Sequence, residues 1–175
     1  MLNSSAYVGR LDLDTSGLLL MTNDTRLAER VTNPESHVPK TYLVKATTQL
    51  SDEQLAALAR GVQLDDGATR PARVLRVRDT ARRTLLELVI SEGRNRQVRR
   101  MLEAVGSGVM ELRRTAIGPL RLEGLSMGKY RKLKAELDRE ELAQRLAEPA
   151  GRAGILAEGG LPPEPPPLVY AMYGV

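Results

Sequence analysis

The sequence predicts an α+β fold, on three observations. Two strand-length runs, Val74–Arg78 and Thr84–Ile90, are joined by the polar connection Asp79–Arg83 and so read as an antiparallel pair. Segments over 52–60 and Asn95–Val105 have capping residues and apolar stripes at helical spacing. Helices and strands follow in mixed, hairpin order rather than in the strict alternation of a doubly wound sheet.

The elements follow in order. Leu18–Met21 is a short apolar run fed by the turn residues Thr15-Ser16-Gly17 and reads as a buried strand. Asn23 or Asp24 can cap a helix over 25–32, with Leu27, Ala28 and Val31 on one face, and Asn33-Pro34 stops it. Thr41–Ala46 is a strand candidate. Ser51-Asp52-Glu53-Gln54 is a capping box whose helix turns Leu55 and Leu58 inward and ends at Gly61. Asp65-Asp66-Gly67 reads as a turn before the next strand. In Thr84–Ile90, Leu86, Leu88 and Ile90 share one face and Glu87 and Val89 the other. The Asn95–Val105 helix buries Val98, Met101, Leu102 and Val105 and closes at Gly106, after which Val109–Ile117 forms another strand. The chain thus divides into a body over 1–134, an appended helix over 135–148 opened by Asp138-Arg139-Glu140-Glu141, and a Pro/Gly-rich tail over 149–175. Six of the ten prolines fall between Pro149 and Pro167, so the tail is expected to be disordered.

Composition narrows the function. There is no cysteine, which excludes disulfides and thiolate metal sites and suits a cytoplasmic protein. The single histidine, His37, cannot build a His-rich metal centre or a Ser-His-Asp triad and reads as a loop residue between Pro34 and Pro39. No apolar run reaches membrane-spanning length. Residues 1–134 have a net charge of +8 and residues 135–175 one of −4, an asymmetry expected of a nucleic-acid partner. With no Phe or Trp and five tyrosines, recognition must run mainly through phosphates, with one ring at most for one base.

Two stretches carry chemistry. In Gly9-Arg10-Leu11-Asp12-Leu13-Asp14-Thr15-Ser16-Gly17, Asp12 sits on a loop braced by a strand, where reactive groups tend to be placed; a surface pair with Arg10 or a turn cap fits the same residues. In Glu92-Gly93-Arg94-Asn95-Arg96-Gln97-Val98-Arg99-Arg100, four arginines fall within seven residues at a helix start that is itself partly positive. Arg94, Arg96 and Arg100 could grip phosphates and Arg99 could turn inward to a carboxylate, since the guanidinium fork matches both kinds of oxygen pair. A solvated basic face is the alternative.

These two blocks, with Lys40-Thr41-Tyr42-Leu43-Val44 between them and Gly128-Lys129-Tyr130-Arg131-Lys132-Leu133 after them, resemble the ribosomal RNA pseudouridine synthases of the RsuA/RluB type, over about residues 7–134. The resemblance implies a mixed, mainly antiparallel sheet with flanking helices, and isomerisation of a uridine of ribosomal RNA to pseudouridine without cofactor or metal. It implies Asp12 as the catalytic aspartate, Tyr42 as the ring against the flipped-out base and Arg99 as the arginine that salt-bridges Asp12. Contacts to RNA would then come from Arg10, Arg94, Asn95, Arg96, Gln97 and Arg100. The family's usual N-terminal S4 domain and the opening strand segment of its catalytic domain are missing ahead of Asp12, so a fragment, an internal start or a naturally shortened member is expected; the chain is also expected to be a monomer. A chain that binds RNA without turnover is the alternative. Asp12-Leu13-Asp14-Thr15 also fits the magnesium-holding pattern of haloacid-dehalogenase-like phosphatases, with Asp65-Asp66 as distal pair. That pattern wants an apolar strand directly before its first aspartate, and Gly9-Arg10-Leu11 is a poor one.

Overall fold

The structure is a computed structural model that describes residues 6–133 and 169–174. The chain enters on β1 (Ala6–Val8), loops through Gly9–Thr15 and continues as β2 (Ser16–Thr22). Asp24 then caps α1 (Thr25–Thr32), accepting from the amides of Arg26 and Leu27 at 3.0 and 3.1 Å. Asn33 ends the helix, a single 3-10 turn (Pro34–Ser36) follows, and β3 (Lys40–Ala46) begins. The Ser51–Gln54 capping box opens α2 (Asp52–Arg60): Ser51 Oγ accepts from Gln54 N at 3.2 Å and Gln54 Oε1 accepts from Ser51 N at 2.8 Å. A small hairpin, β4 (Gln63–Leu64) and β5 (Gly67–Ala68), turns on Asp65-Asp66. Then come β6 (Arg73–Asp79), β7 (Thr84–Ile90), α3 (Gln97–Ala104), β8 (Val109–Ile117), β9 (Leu120–Arg121), β10 (Tyr130–Lys132) and β11 (Val169–Gly174).

All strands but the β4–β5 pair join one sheet in the order β10-β11-β2-β8-β3-β7-β6, with β1 paired to β2 and β9 to β8. Every pairing is antiparallel except β2 with β8, where Ser16 and Gly17 lie opposite Arg113 and Arg114. The mixed, mainly antiparallel sheet and the α+β class are therefore as the sequence implies. The parallel contact requires glycine: Gly17 has φ +120°, and a Cβ there would lie 2.2 Å from the Arg114 carbonyl oxygen.

Two apolar cores form. Val8, Leu18, Leu20, Val31, Val38, Ile117, Leu120, Leu122 and Leu133 pack around α1 and β2. Val44, Leu50, Leu58, Leu86, Leu88, Ile90, Val98, Met101, Leu102 and Leu112 join α2 and α3 to β3, β7 and β8. The seam between these cores is where the site lies.

Two expectations need correction. Residues Val169–Gly174 form a strand between β2 and β10 instead of continuing a disordered tail, so the sheet is not confined to residues 1–134. The tail's composition signal ends at Pro167; Val169-Tyr170-Ala171-Met172-Tyr173 is β-branched and aromatic, and the edge of β2 supplies backbone partners. The helix expected over 135–148 and the tail up to residue 168 lie outside the described residues. The second correction is small: α3 starts at Gln97 rather than Asn95, because Arg96 has φ +46° and cannot belong to the helix.

Candidate active site

A cavity of about 380 Å³ opens at the seam, within the size range of small-ligand sites. Its apolar wall comes from both cores, Val8, Val31 and Ile117 on one side and Ile90, Val98 and Leu112 on the other. Its polar lining includes Arg10, Asp12, Lys40, Tyr42, Asn95, Arg96 and Arg114.

Asp12 reaches the cavity from a closed turn. Thr15 N donates to Asp12 O at 2.9 Å, so the four residues fold back, with Asp12 half-buried and Leu13 thrown outward at 98% exposure. Among the described residues no hydrogen bond or ion pair holds the Asp12 carboxylate. The neighbouring Asp14 takes the arginines instead. Arg96 Nη1 and Nη2 donate to its two oxygens at 3.1 and 3.0 Å, and Arg99 Nε stands 3.3 Å from Oδ2. Arg96 caps α3 and Arg99 lies in its first turn, and both face the one carboxylate that the turn lays across them. The hydrogen bond from Arg96 holds the Asp14 carboxyl below its ordinary range against the opposing effect of burial, with the charge of Arg99 adding to it. The expected Arg99–Asp12 salt bridge is therefore corrected to Arg99–Asp14. Arg99 is only 8% exposed, and its Nη2 donates to the Asp14 carbonyl at 2.7 Å, fastening the Asp12–Thr15 turn to α3.

The other arginines are not free either. Arg94 donates to the carbonyls of Gly67 and Ala68 at 2.9 and 2.7 Å and sets its Nε 3.3 Å from Glu92. Arg100 grips Asp66 through two bonds of 2.8 and 3.1 Å, which hold that carboxyl below its ordinary range. Asp66 is thus more than a turn residue: it ties the β4–β5 hairpin to α3. Gln97, expected to face RNA, is 3% exposed; its Oε1 accepts from Arg94 N at 3.0 Å and its Nε2 donates to Glu92 Oε1 at 2.6 Å. Gln97 is thus in the cavity lining but nearly buried, with its amide bonded to its own helix start. Arg10, Asn95 and Arg96 remain exposed on the cavity rim.

Tyr42 lies half-buried on β3 with Leu88 opposite on β7 and Arg114 opposite on β8, beside an irregularity in the β3–β8 register at Thr41/Tyr42. Register breaks of this kind re-aim side chains next to functional sites. Two residues escaped the sequence reading as site residues. Lys40, two positions before Tyr42, and Arg114 both line the cavity. Arg114 is 4% exposed, and its Nη2 has no hydrogen-bond partner among the described residues, an arrangement that costs about 1–3 kcal/mol. The signal was legible: Leu112, Arg114 and Ala116 alternate along β8, placing a charge on the core face of an apolar strand.

Among the described residues no three acidic or histidine side chains gather. Asp14 and Asp66 are each committed to arginines, and no strand runs directly into Asp12, since β1 stops at Val8. The phosphatase pattern is therefore not assembled.

A family model described as RNA pseudouridylate synthase matches residues 3–104. The chain is 44% identical over 128 residues to ribosomal large subunit pseudouridine synthase B of Bacillus subtilis, covering 72% of this chain and 52% of that protein. It is 47% identical over 133 residues to ribosomal large subunit pseudouridine synthase E of Xanthomonas axonopodis pv. citri, covering 67% and 70%. A crystal structure of a pseudouridylate synthase superposes with a TM-score of 0.73 at 37% identity, covering 82% of this chain and 60% of that one. The chain thus spans about half the length of the Bacillus protein.

Proposed function

The chain belongs to the RNA pseudouridylate synthase family, and from that premise we propose that it isomerises a uridine of ribosomal RNA to pseudouridine, with Asp12 facing the reacting nucleotide. The observation that carries this reading is Asp12 itself. It is the cavity carboxylate left unpaired while its neighbour Asp14 absorbs the arginines of α3.

The reaction breaks the N1–C1′ bond, turns the uracil and joins C5 to C1′; the C5 proton leaves and N1 takes one up. The Asp12 carboxylate beside the sugar compensates the electron-poor C1′, and a half-buried Tyr42 offers a surface for the ring. The target base has to leave its stack to enter a cavity of this depth. At the rim, Arg10, Asn95 and Arg96 meet the flanking backbone, while Arg94 and Arg100 act indirectly by fixing the β4–β5 hairpin. On this reading the chain works in the cytoplasm as a monomer, with neither metal nor cofactor.

The test is tritium release from ribosomal RNA labelled at uridine C5. Release by this chain, reduced more than about 10²-fold in a folded Asp12→Ala variant, is the expected result. Salt-sensitive RNA binding without release would replace it with the reading of a binding-only chain.

A further inference from the structure

Apart from the exposed Arg10 on the rim, the positive charges at the site fall into two groups. Those of the 94–100 segment each have a carboxylate or carbonyl: Arg96 and Arg99 hold Asp14, Arg100 holds Asp66, and Arg94 holds Glu92 and the hairpin carbonyls. Lys40 and Arg114 have no acidic partner among the described residues. The Lys40 ammonium has one long bond, to the Val38 carbonyl at 3.4 Å. Arg114 donates Nε to Leu18 O at 2.9 Å and Nη1 to Arg10 O at 3.3 Å, and its buried Nη2 has nothing. Both line the Asp12 cavity. Above them the loop offers Gly93, whose absent side chain leaves the ammonium uncovered; a Cβ there would stand 3.9 Å from Nζ.

Two like charges held in a partly enclosed cavity, fixed by carbonyls that do not neutralise them, form a site prepared for negative charge. Resting on the function proposed above, we propose that Lys40 and Arg114 stabilise the anion that the uracil ring becomes when its bond to the ribose breaks. The electron pair of N1–C1′ stays with the ring and spreads onto its carbonyl oxygens, while Asp12 faces the electron-poor sugar carbon. The same pair of electrons returns through C5 to C1′, after which the C5 proton is lost and N1 is protonated. The ring charge exists only between these two steps, so the pair acts on rate rather than on affinity. A phosphodiester oxygen of the target nucleotide offers the same anionic chemistry, but its charge is permanent, and a pair that held it would act on affinity.

The experiment compares the chain with Lys40→Met and Lys40→Arg by single-turnover tritium release and by RNA affinity across salt. The expected result for Lys40→Met is a rate loss of about 10²-fold with affinity within about twofold and an unchanged salt slope, largely restored in Lys40→Arg. Unchanged rate, or weakened affinity with a salt slope reduced by about one at unchanged rate, overturns the assignment; the latter makes the pair a phosphate seat. A second measurement needs no turnover and no variant. 5-Nitrouracil, an acidic uracil that is anionic at neutral pH, is titrated into the chain with and without competing inorganic phosphate. Binding that exceeds that of neutral uracil and resists phosphate supports the pair; no binding, or displacement by phosphate, overturns it. If the chain releases no tritium at all, the reading of its function fails, and this titration still decides the pair.

Discussion

Replacing Gly17 by alanine tests the geometry that brings Arg114 under the cavity. A Cβ at Gly17 would sit 2.2 Å from the Arg114 carbonyl oxygen and 2.6 Å from its amide nitrogen, whereas ordinary contact starts at 3.4 Å. The parallel β2–β8 contact must therefore open by roughly 1 Å, enough to forfeit much of the packing attraction across it. Alanine must also adopt a φ near +120°, which costs about 1–3 kcal/mol. Overpacking adds about 1–3 kcal/mol. The 2.9 Å bond from Arg114 Nε to Leu18 O spans these two strands. Weakening such a charged hydrogen bond takes away up to about 1.5–3 kcal/mol. The expected destabilisation is about 3–6 kcal/mol, at the severe end for one substitution. At about 2–4 °C per kcal/mol for a chain of this size, the melting midpoint should fall by about 6–24 °C. Gly124→Ala is the control: φ there is +74° with no atom within 4 Å of the added Cβ, so it isolates backbone strain. Circular-dichroism melts of both variants decide it. If Gly17→Ala melts within about 2 °C of Gly124→Ala, the close approach of β2 to β8 is not what constrains Arg114.

Further predictions follow from individual groups. Asp14 has a folded pKa lowered from 3.8, so its pairing stabilises the fold above that value and the contribution is lost as pH falls through the lowered one. Asp14→Asn should therefore flatten the acid limb of a melting-against-pH curve and leave the alkaline limb unchanged. Lys40 has the opposite consequence. Burial, then the charge of Arg114, lowers its folded pKa from 10.5, so the unfolded chain binds more protons between the two values and stability rises with pH through that window. Lys40→Met should melt higher than the parent at neutral pH, with the gap closing as pH rises toward about 10.4. Ser51→Ala removes the acceptor of the α2 capping box and should cost about 1 kcal/mol in urea unfolding, with no effect on RNA binding.

Where local chemistry sets an element, the sequence is enough. Thr84–Ile90 and Val109–Ile117 have in the structure the bounds that their runs suggest, and the Asp24 and Ser51 caps start α1 and α2 where their side chains can reach the first amides. Where a partner comes from far along the chain, sequence shows the demand without the supplier. The arginines of 94–100 are evident in composition, but the residues that answer them, Asp66 and Asp14, lie up to 34 and 85 positions away. Nothing local distinguishes Asp12 from Asp14 as the partner of Arg99; that choice depends on a turn folding Leu13 outward and laying Asp14 over α3. Strand β11 escaped for a related reason. Its composition is strand-like, but pairing is supplied by β2, and the proline-rich stretch before it dominated any window that included both.

The two groups of cations have different consequences for what the fold must tolerate. The paired arginines Arg96, exposed, and Arg100, half-buried, add little to stability but fix the position of the turn and the hairpin before any ligand arrives. A buried guanidinium with an empty N–H beside a half-buried ammonium is unfavourable to the folded chain on its own, and selection for stability alone would remove it. Such a pair persists only if something that is not part of the chain supplies the missing anion. The cavity that exposes it is also the one in which Asp12 is left unpaired, so the same space offers a negative and a positive face. A neutral nucleoside that must separate into an electron-poor sugar and an electron-rich base before rejoining matches both faces at once, and a permanently charged ligand matches only one.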